Sequence, residues 1–494
     1  EEGKLYFVRD PFGVKPLYYA KNGEKFAFAS EARVLRVLGF GASLDERSLR
    51  QFLTLRYVPS PDTLWDGIKR LPPGHVLAYE IGSGEMRLSP YLKFDVDRFD
   101  GDIREAADAY RGVLADAVKR QLLSDVPVGI LLSGGIDSAL VAAMAKDAGA
   151  EPPCFTVGFG RYHPECELAE AEETARVLGL SFHPIRVGAD ELWEALEKVV
   201  AAVEEPLGTT SVLPMWYLVQ RARQGVTVVL TGQGSDEPWG GYFRYQAPLL
   251  GRFAPWPGVW KGLGRFFSSW QGMPEALERG LRMLRERDPA SRIVEACALF
   301  PAKDRIALLG DADDGGAKEA VSRWLALVAR EKGLDEAERM MRVDARMNLA
   351  DDLLLYGDKI SMAFSLEARV PMLDLEVVRF VESLPRAFRV QLWRGKVVHK
   401  FMAQRYLPAR IVHRKKKGFR VPFAEWSRGI WRKKVEDRLF SEGIHLRLLN
   451  KQALWRIWQE HLQQKPDRSR QVFTLLMLAV WWEQQFGGGN SESM

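Results

Sequence analysis

Val126-Pro127-Val128-Gly129-Ile130-Leu131-Leu132-Ser133-Gly134-Gly135-Ile136-Asp137-Ser138, continued by the apolar stretch Ala139 to Ala145, is the segment from which the architecture of this chain can be read. Val126 to Leu132 is apolar without alternation. That is the pattern of a strand buried on both faces, and such strands belong to parallel sheets covered by helices on either side. The stretch after Ser138 reads as an apolar helix, and a turn of glycine and serine joins the two. Strand, glycine-rich turn and helix N-terminus together offer unpaired backbone N–H groups and the positive end of a dipole, a ready site for an anion such as phosphate. Gly134 and Gly135 let the backbone approach closely, the Ser133 and Ser138 hydroxyls add donors, and Asp137 suits a divalent cation. An ordinary capped turn uses the same residue types.

Working outward, strands alternate with helices: Cys154 to Phe159, a helix around Glu167 to Leu178, Ser181 to Val187, a helix around Asp190 to Val203, then Val226 to Thr231. Alternation of this kind means crossover connections and a parallel sheet. Upstream, Glu105 to Gln121 is amphipathic and helical. The first hundred residues differ, with short runs Lys4 to Arg9, Pro16 to Ala20, Lys25 to Ser30 and His75 to Glu80, two of them separated by Asn22-Gly23, which argues antiparallel hairpins. From about Pro248 the chain reads as helical and tryptophan-rich. A length of 494 residues exceeds what one core supports, so an antiparallel β-rich domain is expected over 1–95, an α/β domain with a helical C-terminal part over 100–486, and a disordered tail over 487–494.

Composition removes several classes. A chain that is 47% hydrophobic has enough apolar surface to fold, which excludes a disordered protein. Seventy Lys and Arg against 65 Asp and Glu leave a net charge of +5, no argument for nucleic acid. The three cysteines, Cys154, Cys166 and Cys297, are too scattered for a disulfide framework and fit a reducing, cytoplasmic setting. Val472 to Trp482 falls short of the roughly 20 apolar residues that span a bilayer, so no membrane association is expected and the run reads as a buried helix. Leu5 to Val8 already has the look of a mid-sheet strand, so an upstream segment is expected.

The turn at Ser133 is neither a GxxxxGK[ST] loop nor a GxGxxG fingerprint. It resembles the SGGxDS pyrophosphate loop of ATP pyrophosphatases, which cleave ATP between the α and β phosphates to adenylate a substrate. A second loop follows Val226 to Thr231 and reads Gly232-Gln233-Gly234-Ser235-Asp236-Glu237, then Gly240-Gly241-Tyr242. Loops at the carboxyl ends of neighbouring parallel strands share a crevice, so Asp236 becomes a candidate magnesium ligand beside Asp137. A third stretch runs from Asp358 to Asp374 through Glu367-Ala368-Arg369-Val370-Pro371. Glu367 and Arg369 cannot face each other on a helix, so a bend ended by Pro371, with structural ion pairs, is expected there. The fourth is the basic run from Arg410 to Arg420. It reads as a solvated face, a nucleic-acid patch, or a source for one lysine that folds over a triphosphate.

Together these segments resemble class B glutamine-dependent asparagine synthetases, in that family's order, from residue 4 to about 426. Arg9-Asp10-Pro11-Phe12-Gly13-Val14-Lys15-Pro16 is similar to the end of the family's N-terminal-nucleophile glutaminase domain, and the SGGIDS, GSDE, SLEARVPMLD and KKGF stretches to its synthetase domain. The resemblance implies amidation of aspartate through a β-aspartyl-AMP intermediate, with ATP, magnesium and nitrogen from glutamine or ammonia. It implies that Ser133, Gly134, Gly135, Asp137 and Ser138 hold the phosphates, that Leu132, Val157 and Gly232 line the adenosine pocket, that Asp137 and Asp236 bind magnesium, and that Lys416 contacts the phosphates. Small molecules are the expected partners, with a homodimer left open.

Two departures stand out. The family's ammonia-releasing cysteine lies at its extreme N-terminus, and none of Cys154, Cys166 or Cys297 can replace it, so this chain is expected to use free ammonia and to release no glutamate from glutamine. Gln233 stands where asparagine synthetases usually carry an acid that orients or deprotonates ammonium, a role an amide cannot fill. Either another carboxylate, such as Glu205 or Glu237, is the base, or the acceptor is not aspartate. The rivals are therefore a related amidotransferase or cyclase acting on another carboxylate, and a catalytically silent regulatory member.

Overall fold

The computed structural model describes residues 3–92, 96–159, 163, 166–251, 275–415, 417, 421–441, 443, 448–464 and 466–487. The expected tail beyond Gly487 and the candidate Lys416 lie outside them. The N-terminal strands β1 (Lys4–Val8), β2 (Tyr18–Asn22), β3 (Lys25–Ala29), β4 (Ile68–Arg70), β5 (His75–Glu80) and β6 (Met86–Pro90) form two antiparallel three-stranded sheets, in the orders β1-β5-β6 and β3-β2-β4. Asn22 pairs with Lys25 across the β2–β3 hairpin, and Gly23 takes the φ of +58° that so tight a turn demands. The polar stretch between β1 and β2 folds on its own side chains. Asp10 accepts from the backbone N–H groups of Phe12, Val14 and Lys15, while the buried Arg9 guanidinium donates to the carbonyls of Gly13, Lys15 and Leu71.

The central sheet is parallel, as its apolar strands predict: β7 (Val128–Leu131), β8 (Cys154–Phe159), β9 (Phe182–Val187), β10 (Val228–Leu230) and β11 (Glu367–Arg369), in the order β11-β10-β7-β8-β9. Both faces are covered. Ile130 and Leu132 belong to the core built with the helices Ile103–Leu122 and Ile136–Asp147, whereas Leu131 belongs to the opposite core, with the helices Ala189–Val203 and Val212–Ala222. That two-sided burial is why β7 shows no alternation. From β7 the chain moves to β8 on one side and returns through β10 on the other, so the strand order reverses between β7 and β10. Ligand crevices form outside the carboxyl ends of the strands at such reversals.

The stretch from Asp358 to Asp374 corrects an expectation. It is not a bent helix. The helix Leu354–Ala363 stops, Ser365 adopts φ +56°, and Glu367–Arg369 extends as edge strand β11 beside β10. Residues two apart share one face of a strand, so Glu367 and Arg369 pair at 2.8 Å, an approach a helix forbids.

The helix Ser469–Phe486 buries the whole run Val472 to Trp482. Its Trp481 ring lies 5.1 Å from that of Trp65, so a single apolar cluster extends from the N-terminal strands to the last helix. No helix among the described residues is long and apolar enough to cross a membrane.

Candidate active site

The loop after β7 and the loop after β10 meet at the strand-order reversal. Gly232 makes this possible, because a Cβ there would stand 2.4 Å from the Ser138 nitrogen and 2.8 Å from the Asp137 carbonyl carbon. Ser235 Oγ donates to Asp137 Oδ1 at 2.9 Å, tying the loops side chain to side chain.

Within the first loop, Ser138 Oγ accepts from the Ser133 N–H at 3.0 Å and lies 2.9 Å from Ser133 Oγ, which itself accepts from the Gly135 N–H at 3.2 Å. The Gly134 N–H donates to the Glu167 carboxylate at 3.1 Å. An internal anion thus sits on a backbone donor of the turn, which is the chemistry expected of a phosphate site.

Asp137 and Asp236 converge on a lysine that sequence reading did not single out. Lys396 Nζ donates to Asp137 Oδ1 and Oδ2 at 2.7 and 2.6 Å and lies 2.8 Å from Asp236 Oδ1. Burial works against its charge, but the two carboxylates outweigh burial and raise its pKa above the ordinary lysine value. His399 lies one helical turn on, with Nε2 3.2 Å from Asp137 Oδ1 and Nδ1 2.9 Å from the Tyr110 hydroxyl. Complete burial lowers its pKa against the pull of Asp137, so the imidazole is neutral at pH 7. The glycines of the second loop fit around this centre. At Gly241 a Cβ would fall 2.0 Å from Asp236 Oδ1 and 2.6 Å from Lys396 Cε, and at Gly395 one would fall 2.5 Å from the Gly240 carbonyl.

The remaining candidates are placed as follows. Leu132 ends β7, its carbonyl accepting from Thr156 Oγ1 at 2.6 Å, and Val157 is the next residue along β8, buried in the opposite core. Gln233 lies against the helix Leu354–Ala363, where a methyl on Gly357 would come 3.3 Å from its Oε1. Glu205 is buried against Arg70 at 3.0 Å and so is not available to a substrate. Glu237 is also buried, accepts from the Tyr242 hydroxyl at 3.1 Å, and has its pKa raised to about 7 by burial and by Asp236. Described members of the basic run are committed to the acidic helix Leu168–Leu178. Arg410 pairs with Glu173 at 2.5 Å, Lys417 pairs with Glu170, and Arg414 donates to the Glu170 carbonyl and Thr174 at 2.8 and 2.9 Å and reaches the Gly134 carbonyl at 3.3 Å. Charges paired in this way do not make a nucleic-acid face.

A parallel sheet with a glycine-rich loop and an acidic loop meeting at its strand-order reversal is the architecture of carbon–nitrogen ligases of the ATP-pyrophosphatase type, and this chain is an enzyme of that class. It belongs to the asparagine synthase family, whose model matches residues 109–483, while the model of a glutamine amidotransferase domain matches residues 1–92. Its relatives include asparagine synthetase [glutamine-hydrolyzing] 1 of Bacillus subtilis (strain 168), 29% identical over 97% of this chain and 75% of that protein. Asparagine synthetase [glutamine-hydrolyzing] 3 of the same bacterium is 26% identical over 88% of this chain and 68% of its own length. Amidase chyE of Penicillium rubens is 27% identical over 89% of this chain and 71% of its own. The family's chemistry is amidation at the expense of ATP.

Proposed function

We propose that this chain adenylates the side-chain carboxylate of aspartate with ATP and converts the acyl-adenylate to asparagine. The observation that carries the reading is the Lys396 ammonium bonded to both Asp137 and Asp236, because it gathers two loops and a distant hairpin at the strand ends where a triphosphate would lie. A phosphate oxygen takes the place that Glu167 holds on the Gly134 N–H, with Ser133, Gly135 and Ser138 beside it. The acceptor oxygen attacks the α-phosphorus, the bond to the bridging oxygen breaks, and pyrophosphate leaves. Lys396 stabilises the negative charge that this transfer develops. Ammonia nitrogen then attacks the acyl carbon, and AMP departs with the electrons of the C–O bond while the nitrogen gives up a proton.

The donor set fits magnesium. Two carboxylates converge within reach of one cationic atom, and no group of three or more His, Cys, Asp or Glu is gathered among the described residues, so water and phosphate oxygens would complete the shell, as that ion prefers. Asp137 and Asp236 would hold it, and when bound it offsets charge on the departing pyrophosphate. The nitrogen comes from glutamine where a competent glutaminase site is present and otherwise from free ammonia.

A second reading keeps the chemistry and changes the acceptor. Gln233 favours it, since an amide cannot take a proton from ammonium. Pyrophosphate release measured across a panel of carboxylates separates the two. Stimulation by aspartate supports the first, stimulation by another carboxylate alone supports the second, and no release with any carboxylate removes both.

A further inference from the structure

Beyond Glu237 the site continues into a crevice that holds two arginines from distant parts of the chain. Arg56 follows the helix Glu46–Leu55 in a left-handed conformation, φ +70°, and Gly208 gives it room, since a Cβ on that glycine would stand 2.6 Å from Arg56 Cβ. Arg244 follows the Gly240-Gly241-Tyr242 turn, with its guanidinium carbon 4.4 Å from the centre of the Tyr242 ring whose hydroxyl bonds Glu237. Tyr356 lies between them, one residue before the Gly357 that Gln233 touches, and its phenol is raised by burial and by nearby Asp352, with Arg56 and Glu237 among the other charges acting on it. For Arg56, burial opposes the charge, Asp352 more than restores it, and Arg244 is the next charge to act on it. The two guanidinium groups are therefore neighbours.

These arginines differ from the structural ones in the same molecule. Arg346 grips both oxygens of Glu382, at 2.6 and 3.1 Å, with its side chain 3% exposed. Arg56 instead uses Nε and Nη2 on one oxygen of Asp352, at 3.0 and 2.8 Å, and Arg244 uses Nε on one oxygen of Asp344 at 2.8 Å. Asp344 Oδ1 and Asp352 Oδ1, both buried, have no hydrogen-bond partner. The Arg56 and Arg244 side chains keep 19% and 17% of their surface open to water, although aspartates, tyrosines and Cys297 surround them. Neither Nη1 has a hydrogen-bond partner. A guanidinium fixed by one edge, with its other edge turned to a water-filled crevice, is arranged to grip a planar anion in bidentate fashion.

We propose that Arg56 and Arg244 receive a second anionic group on the acceptor, so that the carboxylate activated at Asp137 and Asp236 belongs to a dicarboxylate-class molecule. This rests on the ATP-dependent amidation reading above and narrows its substrate. A monocarboxylate would leave both arginines without a partner on their open edge, and a site built for a charged hydrogen bond discriminates strongly against a ligand that lacks it. The arginines are positioning residues, and they act on acceptor binding rather than on ATP.

The test uses the whole chain with ATP and magnesium and reads pyrophosphate release. The panel pairs four- to six-carbon dicarboxylates, amino acids included, with monocarboxylates of matched length. Arg56→Gln and Arg244→Gln are compared with Arg56→Lys and Arg244→Lys, with thermal melting to confirm folding. Release with dicarboxylates, little with their monocarboxylate partners, and an acceptor KM raised roughly 10- to 100-fold in the Gln variants support the proposal, with the ATP KM unchanged and partial rescue by Lys. Equal release from matched monocarboxylates overturns it, as does an unchanged acceptor KM in folded Gln variants. In both cases amidation itself stands. If neither Gln variant folds, the unaltered protein's preference within the panel decides. No release with any carboxylate overturns the amidation reading and this proposal together.

Discussion

Gly241 sets how closely the acidic loop can approach Lys396. A methyl group there meets Asp236 Oδ1 and Lys396 Cε well inside van der Waals contact, and neither can retreat while both are held by Asp137. Gly241→Ala is therefore expected to lower pyrophosphate release by about 100-fold or more, in keeping with the cost of misplacing reacting groups by an ångström. Thermal melting should register a much smaller change. Lys396→Met removes the cation and leaves Asp137 and Asp236 facing each other. The expected cost is about 3 kcal/mol in urea unfolding, near the low end for breaking a buried pair because both carboxylates are slightly exposed. Millimolar magnesium should raise the melting temperature of this variant more than that of the parent, because the vacated carboxylate pair then binds the ion in the folded state only. An equal response would show that the two carboxylates do not form a metal site. Asp137 and Asp236 were legible in the sequence because each sits in a glycine-rich loop directly after an apolar strand. Lys396 was not: it lies 259 residues from Asp137 in an unremarkable polar hairpin, and only its backbone gives it away, with φ +58° just after Gly395.

At the scale of single elements the same contrast holds. β8 was readable to the residue, since Cys154 to Phe159 is buried throughout and its apolar composition announces it. β11 was not, since Glu-Ala-Arg carries no strand pattern and becomes one only because β10 offers it an edge. The helix Lys451–Gln463 supplies a prediction of its own. Its His461 is fully buried, 2.8 Å from Ser427 Oγ, and burial, with Arg428 next, lowers its pKa to about 4. The folded protein therefore refuses a proton that the unfolded chain accepts near pH 6.5. This contribution to stability is complete above about pH 6.5 and is lost as pH falls toward 4. Between pH 7.5 and 5 it amounts to about 2 kcal/mol. Urea unfolding of His461→Gln, which keeps a polar atom near Ser427, should show a correspondingly shallower decline over that range, and an identical slope in the two proteins would rule the histidine out.

Across the whole molecule, the N-terminal strands are joined to the synthetase sheet by buried charge as well as by the Trp65–Trp481 contact. Asp351, on the segment Leu349–Leu353, accepts from the Ser60 N–H and hydroxyl at 2.7 and 2.8 Å and lies 3.3 Å from Arg70 and 3.7 Å from Arg9. Arg70 also holds Glu205, so two arginines share two carboxylates out of reach of water. Charge balance is what makes such a cluster tolerable, since each uncompensated buried charge costs several kcal/mol. Asp351→Asn keeps the shape and the Ser60 contacts but leaves one positive charge in excess, and is expected to destabilise the protein by about 3–5 kcal/mol. None of this was legible in the sequence, because Arg9, Arg70, Glu205 and Asp351 come from four separated segments and each reads alone as an ordinary surface charge. The core that runs from Tyr18 to Trp482 is continuous, so calorimetry should show the variant unfolding in one transition at lower temperature. Two transitions, only the first of them shifted, would instead mean that the N-terminal sheets melt as an independent unit, and that Asp351 holds two bodies together rather than one.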